Sequence, residues 1–172
     1  IMRISKEQVA YVVREAIPCL AFDVPADIAE GLHNAAVHET NPRAAEVLRL
    51  LERNVEVAHR DRVPICQDTG STWVCLEIGP DVVVSGDVLA GVNDAVAEAY
   101  IDAKLRKSIV RNALFDRTNT GDNTPAFCEI HLSDRPGARV HIMLKGGGSD
   151  NASRVVMLTP GAGKQGIIDA VL

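Results

Sequence analysis

The chain has 172 residues, of which 47% are hydrophobic and 24% charged, and carries a formal net charge of −5. That is enough apolar material for one soluble domain with its own core. Aromatic residues make up only 3%, and with the acidic balance this argues against a nucleic-acid surface, while no apolar run approaches the roughly 20 residues of a membrane span.

No secretory signal precedes the first helical pattern. Cys19, Cys66, Cys75 and Cys128 are widely spaced, with no CxxC pair. Neither a zinc ribbon nor a thioredoxin-like site is suggested, and a reduced, cytoplasmic protein is expected. Because the net charge is negative, attraction of an anionic ligand has to be local.

Ser5 and Gln8 form a capping-box pattern at the start of a first helix. Val9, Val12, Val13, Ala16, Ile17 and Leu20 follow at helical spacing, with Pro18 expected to end or kink the run and Cys19 expected in the core. A second helix is predicted from about Pro25, with Ile28, Leu32 and Ala36 turned inward. His33 and His38 are five apart, off the spacing of a helical metal pair, and read as surface. Asn41-Pro42 predicts a third helix with Asn41 as its cap. Val47, Leu51, Val55 and Ala58 form its apolar side, and mixed charges cover the other.

The next stretch, Pro64-Ile65-Cys66-Gln67-Asp68-Thr69-Gly70, sets a thiol beside an amide, a carboxylate and a hydroxyl. Pro64 and Gly70 suit a loop that presents side chains. Thr72 to Ile78 then alternates as a strand, and Val82–Val84 as a second short one. Asp87 is expected to cap a long helix reaching about Lys107. Arg106 near its end reads as a helix-terminal cation favoured by the macrodipole.

Asn119-Thr120-Gly121-Asp122-Asn123-Thr124-Pro125 is a dense polar turn. The strands of Ala126–Leu132 and Val140–Leu144 flank Asp134-Arg135-Pro136-Gly137 and predict an antiparallel hairpin. His131 and His141 fall on the face opposite its apolar set, as surface histidines. Lys145-Gly146-Gly147-Gly148-Ser149-Asp150-Asn151 follows. The tail around Gly163-Lys164 is not a P-loop: Leu158 stands where a glycine is required, and Gln165 replaces Ser or Thr. An apolar run at Ile167, Ile168, Val171 and Leu172 stops without a C-cap, as a shortened chain would.

Taken together and in this order, the Cys66 loop, the Asn119–Pro125 turn and the Gly-rich motif resemble the N-terminal, alpha-type region of the iron–sulfur hydro-lyases. That family comprises the class I fumarate hydratases and the L-tartrate dehydratase alpha subunits. The resemblance spans most of the chain. It implies that residues 1–172 are the N-terminal domain of such an enzyme, with the C-terminal part of the region absent. It also implies that Cys66 is one of three thiolate ligands of a 4Fe-4S cluster, the other two and the catalytic base lying outside this chain. Cys19, Cys75 and Cys128 match no ligand position and are expected to be structural.

By the same resemblance, Gln67, Asp68 and Arg106 would bind a small dicarboxylate, and Gly146, Gly147 and Gly148 would offer backbone N–H groups to it as a nest. Asp122, Asn123 and Thr124 are expected to stabilise the turns of the site. The implied reaction removes water from a 2-hydroxy dicarboxylate, malate to fumarate first and L-tartrate as the alternative. A beta-type domain or subunit would complete a homo- or hetero-oligomer, and the isolated chain would hold no stable cluster. A non-catalytic module for anion or subunit binding on the same fold is the reading from a different class. The expected fold is α+β: an N-terminal helical layer on a small, largely antiparallel sheet.

Overall fold

The structure is a computed structural model, and it describes residues 1–148 and 153–172. Ser149, Asp150 and Asn151 of the Gly-rich motif lie outside the described residues. In chain order the elements are β1 (Met2–Ile4), α1 (Lys6–Phe22), α2 (Ala26–His38), α3 (Pro42–Asp61), β2 (Ser71–Ile78), β3 (Val82–Val84), α4 (Val92–Asp102), β4 (Val110–Asn112), β5 (Asp116–Asn119), β6 (Phe127–Leu132), β7 (Ala138–Lys145) and α5 (Gly163–Val171). The mixed helix-and-strand class expected from the sequence holds.

The capping box forms at α1: Gln8 N donates to Ser5 Oγ at 3.3 Å and Ser5 N to Gln8 Oε1 at 2.9 Å. The buried stripe is Val9, Val13, Ile17 and Ala21, a strict four-residue spacing. Val12 and Leu20, expected inward, are exposed. Pro18 does not end the helix, which continues to Phe22. Cys19 is exposed rather than in the core, its thiol donating to Glu15 O at 3.6 Å.

The predicted cap of α3 is present, with Asn41 Oδ1 accepting from Arg43 N at 3.0 Å and Ala44 N at 3.3 Å. The helices α2 and α3 pack on each other, and Ala36, Ala45 and Ala58 are their buried residues. Ile28, Val47 and Leu51, expected inward, remain about half-exposed. It is α1 and α4 that cover the sheet. The core joins Val9, Val13 and Ile17 of α1 to Val92, Val96, Ala99 and Tyr100 of α4 and to Val74 and Leu76 of β2.

The strand order is β6-β2-β7, so β6 and β7 are not hairpin partners. The central strand runs parallel to β6, from Trp73↔Phe127 to Ile78↔Leu132, and antiparallel to β7, from Ser71↔Lys145 to Ile78↔Ala138. The intervening turn therefore crosses the end of β2. Gly79 N donates to Gly137 O and Ser133 N to Ile78 O, both at 2.9 Å. A Cβ on Gly79 would lie 2.0 Å from Arg135 O, so only a glycine lets the chain cross there.

Two smaller pairs stand beside it among the described residues: β1 parallel to β3, and β4 antiparallel to β5. The β4–β5 pair is not signalled by the sequence, because Arg111 to Asn119 lacks apolar alternation. Asp87 caps only a turn, its Oδ1 accepting from Leu89 N at 3.1 Å, and α4 starts at Val92. The helix ends at Asp102, and Lys104 adopts φ 53. Arg106 thus lies beyond the helix in an irregular segment, and the helix-terminal reading of it falls. No described helix is long and apolar enough to cross a membrane.

Candidate active site

Each end of the Cys66 loop is tied to a helix. Two residues before it, Arg62 adopts φ 52 at the C-cap of α3. Its Nη1 lies 3.0 Å from Asp23 Oδ2, and its guanidinium carbon stands 4.8 Å over the Phe22 ring. His59 Nδ1 meets Asp23 Oδ1 at 2.6 Å. The hydrogen bond from His59, with Arg62 behind it, holds the Asp23 carboxyl below its ordinary range against a smaller effect of burial. Further on, Ile65 N donates to Ala21 O and Asn54 Nδ2 to Ile65 O, both at 2.9 Å.

With its backbone pinned on that side, Cys66 presents an exposed side chain. Its thiol donates to Gln67 Oε1 at 3.4 Å. Asp68 Oδ1 faces Arg106 Nη1 at 3.9 Å. A Cβ on Gly146 would stand 2.8 Å from Asp68 Oδ2, so Gly146 is what lets that carboxylate sit against the end of β7. Gly70 has φ 67, and a Cβ there would fall 2.0 Å from Lys145 O. The loop and the Gly-rich motif touch backbone to backbone.

Buried groups hold this approach. Thr69 Oγ1 donates to Arg106 O at 2.7 Å. The Tyr100 hydroxyl, fully buried, reaches Thr69 O at 3.2 Å and Gly70 O at 3.3 Å. Burial pushes the Tyr100 phenol up, so it stays a neutral donor. Asn123 is also fully buried and has φ 65, a conformation asparagine tolerates better than most residues. Its Nδ2 donates to Gly70 O at 2.9 Å, while its Oδ1 accepts from Ser108 N at 2.6 Å and Ile109 N at 3.2 Å. One side chain thus joins the Cys66 loop, the Arg106 segment and the polar turn.

That turn is itself stapled. Asn119 Nδ2 donates to Lys107 O at 3.0 Å, and Gly121 N to Asn119 Oδ1 at 2.8 Å. Asp122 Oδ1 accepts from Thr124 N at 3.0 Å and from its hydroxyl at 2.8 Å. The Thr124 backbone N–H is the main reason the Asp122 carboxyl lies below its ordinary range. The supporting role expected of Asp122, Asn123 and Thr124 is what the hydrogen bonds show.

The three motifs therefore converge on one edge of the fold, bringing Asp68, Arg106 and Gly146 together with Cys66 and Gln67 alongside. Gly147 and Gly148 have open space where a Cβ would project, and neither has a positive φ. The Ser108 hydroxyl oxygen is buried, and among the described residues it has no hydrogen-bond partner. Sequence reasoning missed Tyr100 and Thr69 as struts. Tyr100 sits among the apolar positions of a helix, and nothing in its spacing marks the hydroxyl's role.

As a place for a metal cluster, the site offers an exposed thiol whose one hydrogen bond among the described residues is to the neighbouring Gln67 side chain. Among the described residues no group of His, Cys, Asp or Glu poised around one metal position includes Cys66. The donors fit one corner of a cluster.

The profile of the family described as "Fumarate hydratase (Fumerase)" matches residues 10–172. The chain belongs to that family of hydro-lyases. It is 31% identical over 177 residues to a "Putative L(+)-tartrate dehydratase subunit alpha" of Methanocaldococcus jannaschii, covering 99% of this chain and 60% of that one. It is 28% identical over 152 residues to the "L(+)-tartrate dehydratase subunit alpha" of Escherichia coli K12, covering 86% of this chain and 50% of that one. The chain thus spans between half and three-fifths of the curated relatives it matches.

Proposed function

We propose that residues 1–172 are the N-terminal, alpha-type part of a 4Fe-4S hydro-lyase that removes water reversibly from a 2-hydroxy dicarboxylate in the cytoplasm. The observation that carries this reading is the convergence of the Cys66 loop, Arg106 and Gly146 on one edge, in a chain of the fumarate hydratase family. Cys66 would hold one corner of the cluster, with the remaining thiolates and the base supplied from outside this chain. When bound, such a cluster supplies Lewis-acid help to the departure of the substrate hydroxyl.

The chain's own residues bind and orient. The exposed Arg106 guanidinium, held near Asp68 at 3.9 Å, offers a planar fork to a substrate carboxylate. Asp68 and Gln67 position the substrate hydroxyl from the same side as Cys66. The Ser108 hydroxyl, buried without a protein partner among the described residues, has hydrogen-bonding capacity to spare next to Arg106. Gly147 and Gly148, open where a side chain would project, allow the backbone N–H groups close to a second carboxylate. Loss of hydroxyl and the adjacent hydrogen then leaves an alkene dicarboxylate and water.

The relatives named alpha subunits point to a beta-type partner. The test is an anaerobic assay of the chain joined to the rest of its alpha region and paired with that partner. Malate, fumarate and L-tartrate are tried in separate arms. Turnover of one of these acids by the assembly, and none by residues 1–172 alone, is expected. Dehydration by the isolated chain, or no turnover of any of the acids by a cluster-loaded assembly, contradicts the proposal.

A further inference from the structure

The sheet β6-β2-β7 has one face against the helices and one face open. Because residues paired in register share a face, the open side is fixed by β2 residues Trp73, Cys75 and Glu77. Cys75 lies opposite Glu129 of β6 and His141 of β7, and Glu77 lies opposite His131 of β6. A thiol, a carboxylate and imidazoles are thus gathered on rigid strands, well separated in the sequence. The alternation of β6 and β7 shows which residues share a face; the insertion of β2 between them brings Cys75 into the group.

We propose that Cys75, Glu129 and His131 form a binding site for a borderline divalent cation of the zinc class, separate from the Cys66 site. Their ligand atoms all lie within 4.8 Å of one another. Tetrahedral ligands at about 2.0–2.3 Å from zinc stand roughly 3.3–3.8 Å apart, and His131 Nε2 is already 3.5 Å from Glu129 Oε1. Small side-chain rotations close the remainder, since Glu129 and His131 are exposed and Cys75 half-buried. Thiolate, imidazole and carboxylate together select zinc-like ions over magnesium or calcium.

The surrounding charge favours a cation. Glu129 lies opposite Cys75 and Glu77 two residues along the same strand face, so the group faces negative charge that a bound cation offsets. Binding releases the thiol proton to solvent and forms the metal–sulfur bond, with solvent water completing the coordination. Glu77, bonded to His141 Nε2 at 3.0 Å and to Arg139 Nη1 at 3.3 Å, stays beside the site as part of its supporting shell. The consequence is structural: a metal there ties β6, whose residues are all exposed, to the central strand.

The test uses the 172-residue chain, purified anaerobically, stripped of metal and titrated with cobalt(II) and then zinc. One equivalent of cobalt should give a thiolate-to-cobalt charge-transfer band with tetrahedral visible bands, and zinc should bleach them. Cys75→Ser should abolish the charge-transfer band. His131→Gln, on the exposed edge strand, should weaken cobalt binding at least tenfold without loss of circular-dichroism signal. Cys66→Ser should change neither. Failure of the folded wild-type chain to develop the band, or a band that survives Cys75→Ser and follows Cys66 instead, overturns the proposal.

Discussion

At the scale of single residues, the site rests on backbone approaches that side chains either permit or pin. Gly70→Ala would combine an unfavourable φ of 67 with a Cβ only 2.0 Å from Lys145 O. It should cost roughly 3 kcal/mol or more in a urea titration. Gly147→Ala meets nothing within 4 Å and should change stability by less than about 0.5 kcal/mol. Equal costs for the two would remove the packing account of this edge. Asn123→Ala would leave Gly70 O, Ser108 N and Ile109 N without their buried partner, a loss of about 3 kcal/mol. Arg106→Lys in the intact enzyme should lower kcat/KM roughly tenfold or more while iron content stays unchanged; unchanged kinetics would detach Arg106 from carboxylate binding. The sequence made Cys66 and Asp68 visible as polar residues in a loop, whereas Arg106, read as the end of a helix, was marked only by the family resemblance. It hid Tyr100, because a hydroxyl inside an apolar helical pattern carries no periodic signal, and it showed the Thr69 hydroxyl without its partner, Arg106 O, thirty-seven positions away.

At the scale of elements, caps and strand faces were legible and partners were not. Ser5 with Gln8 and Asn41 with Pro42 act within a single turn, so local sequence determines them. Alternation placed Val74, Leu76 and Ile78 on the buried face of β2, but it cannot say which strand lies alongside. The turn at Asp134–Gly137 resembles a hairpin turn yet carries the chain across β2, a choice made possible at Gly79. The clamp of Asp23 on His59 and Arg62 fastens the end of α3, and so the start of the Cys66 loop, to α1. Because the folded carboxyl of Asp23 lies below its ordinary range, its stabilising contribution is present above the unfolded value of about 3.9. That contribution is lost as pH falls through the lower folded value. Urea midpoints for wild type and Asp23→Asn should therefore differ at pH 6 and converge under strong acid. A constant difference across that range would show that the clamp acts by packing alone.

For the molecule as a whole, what stands open matters as much as the core. The outer sheet face carries Trp73 stacked on Phe127 with centroids 4.5 Å apart, and Met143 beside them is 49% exposed. The apolar residues of α5 are likewise exposed. Such surfaces are of the kind that interfaces cover, and the curated relatives extend well past the length matched here. The α+β class and the family motifs could be read from the sequence because each lies within a short stretch. The convergence of those motifs depends on Asn123 and on the path of β7, which act across more than fifty positions. The central claim, that this edge carries the first ligand of an iron–sulfur hydro-lyase, is tested most directly by iron and acid-labile sulfide content. The proteins to compare are anaerobically reconstituted full-length wild type, Cys66→Ser and Cys75→Ser. The account predicts that Cys66→Ser loses the cluster while Cys75→Ser retains it; a full complement of iron and sulfide in Cys66→Ser would contradict it.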